Sequence, residues 1–312
     1  MFINSGFSLQ DSLKMLIDKR NQPMIKNIIA RQEQGVSIEE SINPYITNKI
    51  RNYLVNFCKL LSFSKAIEVS VNLHYHQKKM KNQLLQPLIY PLWLLVASIV
   101  ALLYFYFVGI DQMAQLVYSL YEDQNTLMMM KNILGSMILV LAIASTIFIF
   151  CLCAIRHKQN KVLLYIVLSK YFPIPILNKW FTYHYILYYK HCVSAGLKSK
   201  ETLDLLSTFD DVMVVFLSYH TRILLEQGEE FEVALSNCYL DEKLRRFIHL
   251  ATVSHQLETM LGTYLQQLET YFMVFFKRLA KLFQVFSYGL IGSIMIISYQ
   301  ILLLPIQMIE RL

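Results

Sequence analysis

The sequence predicts an all-α membrane protein, with three transmembrane helices and two homologous cytoplasmic helical-bundle domains. Three observations predict it. Apolar residues make up 55% of the chain and charged residues only 16%, against roughly 45–50% and about 25% in soluble domains. Three long stretches carry no charge at all. The phrase QGVSIEESI at 34–42 returns as QGEEFEVAL at 227–235, with Gly second and apolar residues in the fifth and ninth places. Mean hydropathy is +0.39. The 9 glycines and 7 prolines in 312 residues suit long helices with few turns and speak against Gly-rich nucleotide loops.

The first cytoplasmic domain is expected at 1–87. Met1 is followed by FINSGFSLQDSL, which lacks the basic, apolar and small-residue succession of a signal peptide, so insertion must come from internal spans. The spans follow from length. Leu88–Gly109, Ile133–Ile155 and Leu282–Ile309 run 22, 23 and 28 residues without a charge, and about 20 apolar helical residues cross a bilayer core. Spans one and two, with a short loop between them, make a membrane hairpin at 88–155. A second cytoplasmic domain follows at 156–281, then the third span and a short outside tail at 282–312. The apolar run Val162–Leu168 is too short to span and reads as a buried or interfacial helix end.

Charge sets the orientation. Residues 1–87 carry twelve Lys/Arg and 156–281 carry fifteen, whereas the 110–132 loop carries only Lys131. Lys78, Lys79 and Lys81 precede span one. Arg156, His157 and Lys158 follow span two, and Lys277, Arg278 and Lys281 precede span three. Basic residues close to a span stay on the cytoplasmic side, so the N-terminus is expected inside and the C-terminus outside. The net charge of +7 is then mostly topological, and no compact basic-aromatic stripe suggests nucleic-acid binding.

The duplication extends beyond the opening phrase. SGFSLQDSL (5–13) lies over AGLKSKETL (195–203), matching Gly6 with Gly196 and Asp11 with Glu201. PYITNKIRNYL (44–54) lies over CYLDEKLRRFI (238–248), and KNQLLQPLIY (81–90) over LAKLFQVFSY (279–288). Ile38 with Ile42, and Phe231 with Leu235, stand at i, i+4 on one helix face. Gly35 and Gly228 are expected to close the preceding helix in a left-handed turn. Ser37 with Glu40 fits a capping box, and Pro44 ends the short helix. The second copy opens with a long aromatic helix, 178–196, that has no counterpart before Gly6. The natural chain is therefore expected to begin about 15 or more residues earlier, the length of such a helix.

Candidate chemistry is sparse. The sequence holds no G-x-x-x-x-G-K-[ST], H-E-x-x-H, G-x-S-x-G or C-x-x-C, so an enzyme is not expected. Five scattered cysteines are no disulfide framework, and Cys151–Cys153 alone is a weak metal signal. His74 and His76 point apart on a helix and read as a solvated face. Glu226, Glu229, Glu230 and Glu232 are a candidate docking surface for a basic partner or, more simply, a solvated helix start. Tyr183, Tyr185, Tyr188 and Tyr189 mix core and interfacial positions of one amphipathic helix. No Asp, Glu, Lys, Arg or His interrupts the spans, which favours anchoring over transport. A small multi-pass transporter is the rival class. Gly289, Gly292 and Ser293 form a small-residue patch suited to helix contacts in an oligomer.

This arrangement resembles the type II secretion system protein F family, the inner-membrane platform proteins of type II secretion, type IV pili and the competence pseudopilus. The resemblance covers essentially the whole chain. It is carried by the Gly6 and Gly196 phrases, the Gly35 and Gly228 phrases, Pro87 and Pro91 at the mouth of span one, KYFPIPILNKW (170–180), and LLLPIQMI (302–309) with its Pro305. The family's Gly-Glu signature is missing from both copies, which read KLLSFSKAIEV (59–69) and TVSHQLETML (252–261) at those places. This departure and the small size resemble the Gram-positive competence branch most. The resemblance implies a non-enzymatic platform that couples a cytoplasmic secretion ATPase to pseudopilin polymerisation for DNA uptake, or for type II protein secretion. The implied partners are that ATPase, pseudopilins, membrane lipid and further copies of the chain, with no direct nucleic-acid contact and no cofactor. Some relatives bind a metal ion in the first domain, but no ligand set maps onto this sequence.

Overall fold

The structure, a computed structural model, describes residues 11, 14–15, 17–18, 21–112, 115, 124–156, 162, 175–236 and 239–309. It describes the backbone alone at 39, 124–127, 130, 144, 147–156 and 304–309. Every regular element among these residues is helical. In chain order they are α1 (Gln22–Glu33), α2 (Ile38–Ile42), a 3-10 turn (Asn43–Tyr45), α3 (Asn48–Phe57) and α4 (Phe63–Tyr104). A π-helical turn at Phe105–Gly109 extends α4, and α5 (Gln124–Arg156) follows. The second half holds α6 (Pro175–Ser194), α7 (Ser199–Leu206), α8 (Val212–Glu226), α9 (Phe231–Leu235), α10 (Glu242–Ser254) and α11 (Leu257–Ile309). The duplicated sequence thus yields a duplicated helix order, with α1 to α4 mirrored by α8 to α11.

Local chemistry sets the helix ends. Pro23 stands in the first turn of α1, where its missing N–H would have had no helical partner. Asp211 caps α8 by accepting from the Met213 N–H at 3.1 Å. Glu40 N–H donates to Ser37 Oγ at 3.3 Å, as expected at the start of α2. Pro44 falls inside the 3-10 turn that ends α2.

The chain divides into two compact units. Unit one is Met1–Lys79 with Val162–Leu268. The repeat-bearing segments, expected as two bundles, gather here into one. Its core holds Ile25, Ile28, Phe57, Leu73, Leu206, Leu217, Leu244 and Ile248, all within 3% of full burial. α6 lies deep in this unit. Tyr183, Tyr185, Tyr188 and Tyr189 are all buried, none more than 3% exposed, so this is a helix buried nearly all round rather than an amphipathic one.

Unit two is Met80–Lys161 with Glu269–Leu312. Its apolar core is built from three helices: Leu102, Phe105 and Ile110 on α4 and its extension, Leu134 on α5, and Leu290, Ile297 and Ile301 on α11. Gly109 is required in the π turn, because a Cβ there would meet the Phe105 ring at 2.6 Å. Two helices are long and apolar enough to cross a membrane, Phe63–Gln112 with 50 residues and Leu257–Leu303 with 47. Only 22% of the most apolar stretch of each is buried, so most of that apolar surface faces outward. Each of these helices also contains the last helix of its repeat copy, where separate short helices were expected before the spans. Pro87 and Pro91 lie inside α4 without ending it.

Candidate functional site

The most organised side chains of unit one lie where the two repeat copies meet. Phe209, in the turn between α7 and α8, is 6% exposed. The rings of Tyr53, Phe57 and Tyr188 surround it, with centroids 5.9, 5.6 and 5.2 Å away. Tyr53 and Phe57 come from α3 of the first copy, and Tyr188 from α6 ahead of the second. The Tyr53 hydroxyl donates to Gln77 Oε1 at 3.0 Å and lies 2.9 Å from the Tyr188 hydroxyl. A hydroxyl has one proton, so Tyr188 donates to Tyr53. Burial pushes the Tyr188 hydroxyl pKa up, which keeps that proton in place.

Polar contacts edge this cluster. The Asn52 amide donates to the Asp210 carboxylate. Asn56 Oδ1 accepts from Lys59 Nζ at 2.9 Å and from Thr208 Oγ1 at 3.3 Å. His76 Nδ1 meets His191 Nε2 at 3.1 Å. This corrects the solvated reading of the H-x-H pattern: Tyr75 is 60% exposed, while His76 turns inward onto α6. Burial, then His76 and Lys190, lower the His191 pKa from 6.5 to about 4. The His191 imidazole is therefore neutral near pH 7. Beside them, burial raises the Cys192 thiol pKa, leaving it protonated and a poor nucleophile.

A second polar knot anchors the end of the second copy. Lys179 Nζ lies 2.8 Å from Asp241 Oδ1, with side chains 15% and 9% exposed. The Tyr264 hydroxyl donates to Asp241 Oδ2 at 2.9 Å, and the Asp241 N–H donates to Thr182 Oγ1 at 2.8 Å. One carboxylate thus ties α6, the start of α10 and α11 together, and neither buried charge lacks a counterpart.

Gly35 and Gly228 close their helices in the left-handed turn expected of them, and Gly196, for which no such turn was expected, does the same. Gly35, Gly196 and Gly228 have φ of +81°, +87° and +86°. Each closes its helix with the same paired bonds. Gly35 N–H reaches Gln32 O at 2.9 Å and Val36 N–H reaches Arg31 O at 3.1 Å. Val193 O with Cys192 O, and Leu225 O with Leu224 O, are the acceptors in the other two cases. Gly6 lies outside the described residues, and Pro305 falls within the backbone bounds of α11.

The structure separates the four glutamates by use. Glu226 accepts from Arg222 Nε at 2.8 Å, and Glu232 accepts from His249 Nδ1 at 2.9 Å. Glu229 and Glu230 are exposed. Glu232, Glu242, Arg245, Arg246, His249 and Leu250 line an open groove of about 580 Å³. Its mixed charges form no nucleophile–base pair. Among the described residues no group of three or more His, Cys, Asp or Glu could hold a metal ion.

Sequence reasoning missed both the Phe209 cluster and the Asp241 knot. The copy alignment held a signal for the second, since Asp241 stands over Thr47, an acid where the first copy has a hydroxyl. Nothing local marks Phe209, two of whose partners, Tyr53 and Phe57, are over 100 residues away in the first copy.

No family model matches the chain, and no curated protein matches it significantly.

Proposed function

We propose that the chain is a non-enzymatic, multi-pass membrane platform for assembly of a type IV pilus-like competence pseudopilus. In this reading it couples a cytoplasmic secretion ATPase to pseudopilin polymerisation, and the filament serves DNA uptake. One observation carries the proposal. The same succession appears twice: a Gly-closed helix, a five-residue helix, a helix of ten or more residues, then a helix long and apolar enough to cross a membrane. That duplicated plan is the one the type II secretion F resemblance implies. Span two falls on α5, where Lys131–Ile143 is a shorter apolar stretch. With it the chain crosses three times, with the N-terminal region and 156–281 in the cytoplasm and the C-terminus outside. The well-packed seam between copies supports a body that presents surfaces to partners.

Deletion with complementation tests the reading. Loss of pseudopilus formation and of transformation, both restored by the full-length gene, is the expected result, together with copurification of the secretion ATPase. Normal transformation in the deletion strain overturns the competence role, and a specific defect in protein export would place the chain in a type II secretion platform instead. Solute flux through proteoliposomes of the purified chain would overturn the platform reading in favour of a transporter.

A further inference from the structure

The ends of the two longest helices of unit two differ in how their charges are satisfied. α4 carries Lys78, Lys79 and Lys81 within one turn, and α11 carries Lys277, Arg278 and Lys281. All six are exposed, and none takes part in an ion pair among the described residues. No acid lies within helical reach: α4 has none after Glu68 until Asp111 follows it, and α11 has none after Glu269. Lys78 with Lys81, and Lys277 with Lys281, share a side at i, i+3 and i, i+4.

The opposite end carries one base against three acids, Lys131 against Asp111, Glu122 and Asp123. Lys131 pairs with Asp111 at 2.8 Å. From Lys81 to Asp111 is about 45 Å at 1.5 Å per residue, the thickness of a bilayer with both headgroup layers, about 40–45 Å. The Asp111–Lys131 pair thus falls at one headgroup layer with no net charge, and Lys81 falls at the other with its charge unmet. Lys281 stands the same way before an uncharged stretch to Ile309, about 42 Å long.

We propose that each of these two basic clusters, by itself, binds anionic phospholipid headgroups and holds negatively charged lipid at the cytoplasmic end of its own helix's apolar stretch. The proposal rests on the membrane reading. Exposed ammonium and guanidinium groups at headgroup depth, without carboxylates of their own, are met by lipid phosphates. Unlike the exposed acids at Glu229 and Glu230, which stand in a solvated turn, they have a fixed depth beside apolar helix.

Trp93 offers the probe. It is 71% exposed and lies about 18 Å along α4 beyond Lys81. The full chain with Trp180→Phe keeps Trp93 as its single tryptophan. It is reconstituted in phosphatidylcholine containing increasing brominated phosphatidylglycerol, or brominated phosphatidylcholine as control. Each charge is worth up to about fivefold in relative affinity. At low salt the anionic lipid is expected to bind at least about fivefold tighter than the zwitterionic one. The triple variant K78Q/K79Q/K81Q, or K277Q/R278Q/K281Q, lowers that preference severalfold, whereas arginine at the lysine positions retains it. High salt collapses it. Equal quenching by the two lipids in the parent chain, or an undiminished preference in the glutamine variants, overturns the proposal. Absence of quenching by brominated phosphatidylcholine overturns the membrane reading itself, and this proposal with it.

Discussion

Thr47 and Asp241 hold the same place in the two copies, just ahead of α3 and α10. Thr47 is exposed and makes no side-chain cap bond. Asp241 is 8% exposed and takes Lys179, Tyr264 and Thr182 as partners. The Gly turns, by contrast, are nearly superimposable in conformation, at +81° and +86°. The helix ends differ too. α10 closes through His255 in the left-handed region, with φ of 54°, whereas Cys58 at the end of α3 stays right-handed. The lesson is that the duplication preserved the backbone devices that stop and restart helices. The anchors beneath them diverged, because an anchor depends on what another segment places against it. Here that segment is α6, which supplies Lys179 and Thr182 to the second copy.

The strongest way to break this comparison is to remove the anchor from one copy. Asp241→Ala leaves the Lys179 charge buried without its counterion, at a cost of about 3–5 kcal/mol. Thr47→Ala costs below about 0.5 kcal/mol, there being no cap bond to lose. Denaturant titration of the detergent-solubilised chain measures both, and equal losses would refute the asymmetry. Close behind in size, Phe209→Ala empties the centre of the seam and costs about 3–5 kcal/mol. It should raise protease cleavage in both copies, since both contribute rings to the cluster. Cleavage confined to the second copy would show that the seam does not join them.

Acid offers a graded test. The His191 pKa falls from 6.5 to about 4 on folding, so its contribution is fully present above pH 6.5 and drains away as pH falls toward 4. That difference amounts to up to about 3 kcal/mol. The acid-side slope of stability should flatten in His191→Gln, and an unchanged slope would remove His191 as its source. The smallest effects sharpen the similarity instead. Gly35→Ala and Gly228→Ala each force a Cβ into the left-handed region at about 1–2 kcal/mol. At neither glycine would the added Cβ meet another atom within 4 Å, so the two losses should match within error.

Much of this was legible before any coordinates. Gly35 and Gly228 declared their turns because positive φ is a local steric matter, settled by the residue itself. The small side chains Ser41 and Ala234 also occupy matching positions and are both fully buried, a pairing visible in the aligned phrases although only Ile38, Ile42, Phe231 and Leu235 stood out by periodicity. Tyr183, Tyr185, Tyr188 and Tyr189 could not be sorted in advance. A run of apolar and aromatic residues on a single helix does not say how many neighbours will cover it.

Composition and pattern by themselves determined the helical class, the long apolar stretches, the sites of helix closure and the duplication. Each follows from short-range sterics, hydrogen bonding or transfer free energy, which act within a few residues. Only the tertiary structure decided that both copies share one compact unit, that Phe209 sits among Tyr53, Phe57 and Tyr188, that His76 faces His191, and that Asp241 rather than Thr47 carries a buried ion pair. Those outcomes depend on surfaces brought together across 100 residues or more, or, for Asp241, on a helix some 60 residues away. Contacts at that range are chosen by the fit of whole helices, and no local pattern encodes the fit.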